Sequence, residues 1–361
     1  MSADAVNIDA LFEMMLEQKA SDLHLLEGEP PKIRRNGSIE VIPGQELLTA
    51  DRLRRMLEQI CPADRWEVFR KTHDLDFAYA FGDRARFRAN YYNQVTGLGA
   101  VFRVIPKDIR SLDDLGAPPV LKQFASARKG LVLVTGPTGS GKSTTLAAVI
   151  DHINTNFARK ILTIEEPIEF IHKNKKSVIV QREVGIDTPS FAAALYDSAR
   201  SDFDVILVGE MRDLETISLA ISAAEKGTLV FGTLHTNSAA KTVDRIVDTF
   251  PSDQQKQIQT MLSESLYGVC SQLLVKTKDG QGRLAVHEIL FRTLSVANTI
   301  REGQAAKLKS IIQTSAVQGM VLMDDALDKL IQLGKITGQE AYMKAADKER
   351  FAKHAATTEH S

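Results

Sequence analysis

A chain of 361 residues is long for one hydrophobic core and comfortable for two, since single cores stop growing near roughly 250 to 300 residues. Its 45 Lys and Arg stand against 46 Asp and Glu, so it has no overall positive field with which to hold a polyanion such as DNA. The two cysteines, Cys61 and Cys270, lie far apart without a C-x-x-C partner, which excludes a four-cysteine zinc element and a disulfide framework and reads as buried thiols in a reducing cytosol.

The N-terminus, MSADAVNIDALFEMML, carries acidic residues and no uninterrupted apolar run, so it reads as neither a secretory signal nor a span. No later stretch approaches the ~20 apolar residues a membrane helix needs, so any membrane role is expected to be peripheral. Ile8, Leu11, Phe12 and Met15 recur at helical spacing, and Leu53, Met56, Leu57 and Ile60 do so again. Alternation over residues 76–81 and 85–91, on either side of Gly82-Asp83, predicts a hairpin, and residues 99–104 read as another strand of the same sheet. These elements make a small α+β domain over residues 1–110. Pro106, Gly116, Pro118 and Pro119 punctuate the next stretch of chain, which places a linker at 111–119.

From residue 120 to 361 the pattern changes. Apolar runs at 131–135, 161–164, 205–208 and 229–233 alternate with helical patterns, as buried parallel strands with crossover helices do. Ile258, Leu262, Leu266, Val269 and Leu273 fall on one stripe and predict a long amphipathic helix, with further helices behind it. The fold class expected is therefore α/β, an N-terminal α+β domain followed by an α/β core with C-terminal helices.

Four segments carry chemistry. Gly136-Pro137-Thr138-Gly139-Ser140-Gly141-Lys142-Ser143-Thr144 fits G-x-x-x-x-G-K-[ST] directly after a predicted strand and before a helix. The glycines let backbone N–H groups turn inward around a β-phosphate where side chains would intrude, Lys142 adds mobile positive charge, and Ser143 is placed to coordinate Mg²⁺. The following helix contributes its N-terminal partial charge. Val205-Ile206-Leu207-Val208-Gly209-Glu210 is an apolar strand ending in a carboxylate, where a P-loop enzyme holds its Mg²⁺ or water ligand. Between them, Ile164-Glu165-Glu166-Pro167-Ile168-Glu169-Phe170 packs three carboxylates at a strand end, a candidate general base that would orient attacking water, or else a solvated acidic loop. Gly232-Thr233-Leu234-His235-Thr236 ends the next strand with polar groups able to touch a γ-phosphate, although a lone histidine is usually structural.

With those four elements in this order, the chain resembles the secretion-ATPase superfamily and, within it, the PilT family of type IV pilus retraction ATPases. The segments ASDLHLLEGEPPKIRRNG, RFRANYYNQ, GAVFRVIPKDI, ILVGEMRDLETI, FGTLHTNSAAKTVDRIVDTFP, MLSESL and QGMVLMDDAL carry the likeness over most of the chain. The resemblance implies a PAS-like N-terminal domain and a RecA-like core that binds ATP and Mg²⁺. It implies that Glu169 is the base, that Glu210 stands at the Walker-B position and that His235 is the histidine-box residue. Arg88 and Arg103 match arginines that approach nucleotide at a subunit boundary. It further implies a cytoplasmic homohexamer, peripheral to the inner membrane, acting on a pilus platform protein, with a paralogous retraction ATPase as a further candidate partner.

Three positions depart from that family's pattern. Glu166 stands where Asp is usual, which keeps the charge. Thr228 replaces the first histidine of the box, which points to altered nucleotide sensing or rate. Ser295-Val296-Ala297-Asn298-Thr299-Ile300 stands where A-I-R-N-L-I is usual, so the motif's arginine is Ala297, which weakens the inference to pulling force. An accessory PilU-like paralogue and a low-turnover ATP-binding regulator are the rival readings. A nucleic-acid motor would need a basic, aromatic-bearing groove, and His172-Lys173-Asn174-Lys175-Lys176 reads instead as a solvated loop.

Overall fold

The computed structural model describes residues 7–35 and 37–356. The chain divides into two units, Met1–Asp108 with Glu166–Ile171, and Ile109–Glu165 with His172–Ser361.

The first unit runs α1 (Ile8–Glu17), β1 (Asp22–Leu26), β2 (Lys32–Arg35), β3 (Ser38–Val41), α2 (Ala50–Ile60), α3 (Ala63–Thr72), β4 (Asp74–Phe81), β5 (Ala85–Gln94) and β6 (Gly97–Ile105). Asn7 and Thr49 start α1 and α2 by accepting backbone N–H bonds from Asp9 and Arg52, satisfying donors that the first helical turn leaves open. The six strands form one antiparallel sheet in the order β3-β2-β1-β6-β5-β4. Alternation buries Ala85, Phe87, Ala89 and Tyr91 of β5 on the helix-covered face, where the Phe12 ring of α1 stacks on Phe87 at 4.4 Å and meets Phe102 edge-on at 5.0 Å. The hairpin and the adjoining strand expected from residues 76–104 are β4, β5 and β6.

The other face of this sheet is polar. Arg34, Asp22, Arg103 and Arg88 stand directly opposite one another on β2, β1, β6 and β5. Asp22 is the buried member, 2% exposed, and accepts from Arg103 Nε at 2.8 Å and from the Ser21 hydroxyl at 2.7 Å.

The second unit continues α4 (Val120–Ser126), β7 (Gly130–Thr135), α5 (Lys142–Asn156), β8 (Lys160–Glu165), β9 (Val178–Glu183), α6 (Phe191–Ser198), β10 (Val205–Val208), α7 (Leu214–Glu225) and β11 (Leu229–Leu234). It ends with α8 (Ala239–Asp248), α9 (Gln255–Ser265), β12 (Leu266–Lys276), β13 (Arg283–Phe291), α10 (Leu294–Arg301), α11 (Leu308–Thr314), α12 (Met323–Gln332), α13 (Gly338–Lys344) and α14 (Lys348–Ala356). The sheet order is β13-β12-β7-β11-β10-β8-β9, parallel except where β13 turns back on β12. Both faces are covered, which is why the strands read as continuous apolar runs. Leu131 and Leu133 of β7 pack with α7, α8 and α9, while Val132 and Val134 pack with α4 and α5.

The long helix expected through Ile258 to Leu273 is corrected here. Only Ile258 and Leu262 lie on α9; Leu266, Val269 and Leu273 belong to β12, which pairs in parallel with β7 and antiparallel with β13. The stripe continues by coincidence of spacing, and tertiary pairing overrides it. Glycine at 268 suits this strand because a Cβ there would lie 2.3 Å from the Phe124 ring packed against it. Cys61 and Cys270 are buried and free, and burial pushes their thiols up to about 11 and about 12. Among the described residues no helix is long and apolar enough to cross a membrane.

Burial alone would raise the Asp22 carboxyl, but its bonds from Ser21 and Arg103 outweigh that and hold it below the ordinary value of 3.8. A native value below the unfolded one stabilises the fold above the unfolded value, and that contribution disappears as pH falls through the native one. Asp22→Asn is therefore expected to cost ~1–3 kcal/mol near neutral pH. Urea unfolding should show the difference from the parent shrinking as pH drops below 3.8, whereas a pH-independent difference would contradict the assignment.

Candidate nucleotide site

The glycine-rich stretch leaves β7 at Gly136 and enters α5 at Lys142. Gly136, Gly139 and Gly141 take φ values of 144°, 78° and 86°, conformations that other residues adopt only under strain. At Gly136 the requirement is doubled, since a Cβ would sit 2.2 Å from the backbone oxygen of Gln272. Gly141, the residue preceding α5, offers no side-chain cap, so the first-turn N–H groups of this fifteen-residue helix remain available to an anion. Lys142 Nζ folds back over the loop and donates to the Gly136 and Pro137 carbonyls at 2.7 and 3.2 Å. Ser143 is exposed on the first turn, Thr144 is half-buried beside it and Thr145 is buried.

Backbone bonds stitch the following loops along one edge of the sheet. The Gly136 amide donates to Leu234 O at 3.3 Å, Met211 to Thr233 O at 3.0 Å and Gly209 to Ile164 O at 2.8 Å. Parallel strands thus bring the ends of β7, β11, β10 and β8 together at their carboxyl edge, where ligands of such sheets bind. Glu210, just past β10, has one carboxylate oxygen 3.0 Å from His235 Nε2, and its other accepts from Arg212 at 2.7 Å. Burial pushes the Glu210 carboxyl up, but Arg212 and then His235 more than offset it, so the group stays ionised below the ordinary range. Glu165, at the end of β8, accepts from Thr163 at 2.7 Å and Gln181 at 3.4 Å.

Three of the expected residues lie within the first unit. Arg88 Nε donates to both oxygens of Asp76 at 3.2 and 3.0 Å, and its Nη1 stands 3.6 Å from a carboxylate oxygen of Glu169. Arg103 is the direct cross-strand neighbour of Arg88 and is held by Asp22.

Reading the sequence did not single out Arg212 as the partner of Glu210, nor Gln272, Thr145 and His287 behind the glycine-rich loop. Arg212 was findable, since a guanidinium two residues beyond a strand-end carboxylate can reach back to it. Thr228 lies at the start of β11, its carbonyl accepting from Gly130, while His235 follows the strand's other end. Roughly 20 Å of extended chain separates them, so the missing first histidine does not remove a group from this edge. Ala297 sits on α10, 4% exposed, on a helix that follows the last strand of the sheet.

A phosphate-sized loop between a buried parallel strand and a helix, with a strand inserted between it and the strand bearing the acidic end, defines a RecA-like P-loop nucleotide-binding unit. Residues 5–359 match the family model described as type II/IV secretion system protein. The chain belongs to that family and, within it, to the PilT family. It is 47% identical over 346 residues to the type IV pilus retraction ATPase PilT of Pseudomonas aeruginosa, covering 96% of this chain and 100% of that protein. It is 48% identical over 322 residues to a twitching motility protein of Neisseria gonorrhoeae, covering 89% of this chain and 86% of that one. The crystal structure of the pilus retraction motor PilT with bound ADP superposes with a TM-score of 0.88 at 40% identity, covering 97% of this chain and 100% of that one.

Without Arg212, burial should dominate at Glu210. Arg212→Ala is expected to move the acid limb of nucleotide turnover upward, and an unmoved limb would contradict the pairing. Thr228→His should leave ADP affinity within about twofold of the parent, as for a site far from the ligand; calorimetric titration reads this directly.

Proposed function

We propose that this chain is an ATP-hydrolysing subunit of a homohexameric motor that drives retraction of type IV pili. The observation that carries the reading is likeness to PilT over nearly the whole chain with Lys142 and Glu210 both kept at the carboxyl edge of the sheet. The loop amides and Lys142 would hold the β- and γ-phosphates. Ser143 and Glu210 supply oxygen donors, one of them a carboxylate kept ionised, and that donor chemistry fits Mg²⁺. A bound Mg²⁺ would neutralise charge developing on the phosphates.

Glu169 is assigned the role of general base orienting the attacking water, and His235 that of a polar group fixing Glu210. Arg88 and Arg103 are assigned to the nucleotide of a neighbouring subunit, where a guanidinium stabilises transferred charge and ties hydrolysis to subunit motion. Cycles of binding and release would move the ring against a platform protein in the inner membrane, and pilin would leave the fibre base. The ring, the platform and the peripheral cytoplasmic location come from the family resemblance.

Ala297 favours one second reading, an accessory retraction ATPase that pulls only beside a PilT partner. Expression in a piliated bacterium lacking its own retraction ATPases separates the two. The motor reading predicts restored twitching, abolished by Lys142→Ala and by Glu169→Gln. Restoration only when a partner retraction ATPase is co-expressed would establish the accessory reading, and no effect in either background would contradict both.

A further inference from the structure

We propose that Gln272 is the positioning residue of the nucleotide site, a buried amide that holds the glycine-rich loop in its anion-binding form through Ser140. The inference rests on reading residues 136–144 as that site. Gln272 lies on β12, 1% exposed, and its side chain makes three bonds. Nε2 donates to the Ser140 carbonyl at 2.6 Å, while Oε1 accepts from the Thr145 hydroxyl at 2.8 Å and stands 3.1 Å from His287 Nε2.

The Ser140 carbonyl, which can only accept, fixes which way the amide faces. His287 stands directly opposite Gln272 on β13, and burial pushes its imidazole down to about 4. The ring is therefore neutral near physiological pH, and its Nε2–H tautomer donates to Oε1. Thr145 fills the second lone pair. Flipping the amide would set its oxygen against the Ser140 carbonyl, two buried acceptors face to face, whereas the Thr145 hydroxyl and the neutral His287 ring can each donate or accept.

The consequence for the loop comes from peptide geometry. The Ser140–Gly141 peptide is planar and trans, so its N–H points opposite to its carbonyl. Anchoring the Ser140 oxygen on β12 aims the Gly141 N–H away from that strand, toward the side of the loop that a phosphate would occupy. The Gln272 backbone oxygen also fills the space beside Gly136, so one residue restrains both ends of the loop. The Ser140 hydroxyl, buried with no hydrogen-bond partner among the described residues, does not perform this restraint itself.

The test uses the full chain, a fluorescent ADP analogue as probe, and the melting temperature of the nucleotide-free protein. Gln272→Leu removes all three bonds. Gln272→Glu keeps the two acceptor bonds, and hence the hairpin packing, but sets a carboxylate against the Ser140 carbonyl, which also covers failure of the leucine variant to fold. A positioning role predicts ADP affinity weakened about tenfold or more in Gln272→Glu. Thr145→Val also removes a buried bond of this amide but leaves the Ser140 carbonyl held, so it should lower the melting temperature of the nucleotide-free protein yet weaken binding less. ADP affinity within about twofold of the parent in both Gln272 variants would overturn the proposal. So would equal loss of affinity in Thr145→Val and Gln272→Glu at a temperature where both are folded. Because the readout is binding, a parent chain that binds ADP yet drives no retraction contradicts the proposed function alone, whereas a parent that binds no ADP overturns both.

Discussion

Backbone amides can surround a phosphate only if the chain adopts dihedral angles that side chains resist, and this constraint organises the larger unit. Gly136, Gly139 and Gly141 meet it with positive φ values. Glycine also makes the loop entropically soft, so the surroundings must hold its shape. They do so from three directions: β7 fixes the entrance, α5 begins at the exit, and β12 packs its backbone and the Gln272 amide against the loop's outer side. The strand pairing that puts β12 next to β7 is thus as necessary to the site as the glycines.

Charge at this edge is arranged by the same economy of partners. A half-buried carboxylate such as Glu210 would drift toward neutrality on desolvation alone, and Arg212 with His235 keeps it ionised. In the other unit, Asp22 does the converse service: a buried carboxylate fixes the outward guanidinium of Arg103 beside that of Arg88. Both are cases in which a residue without an assigned chemical step sets the charge state or direction of one that has it.

Much of this was legible in the sequence because it is local. The glycine-rich loop is contiguous, its strand and helix flank it, and the apolar runs of β7, β8, β10 and β11 stand out once both sheet faces are covered. The β4–β5 hairpin followed from alternation around Gly82-Asp83. Local pattern could not supply pairing across distance. Gln272 and Ser140 are separated by 132 positions, and Arg103 and Asp22 by 81. The stripe through Leu266, Val269 and Leu273 satisfied a helical period yet folds as a strand, since only the neighbours β7 and β13 decide. Thr228 likewise looked like a loss at the site until β11 separated it from His235.

The central claim is that this edge binds and hydrolyses ATP. Its most direct test is phosphate release from ATP by the purified chain with Mg²⁺, with particle mass followed by light scattering and Lys142→Ala measured alongside. The account predicts turnover by a hexamer-sized particle that the lysine variant loses. Well-folded parent protein that releases no phosphate, or a lysine variant as active as the parent, would contradict it.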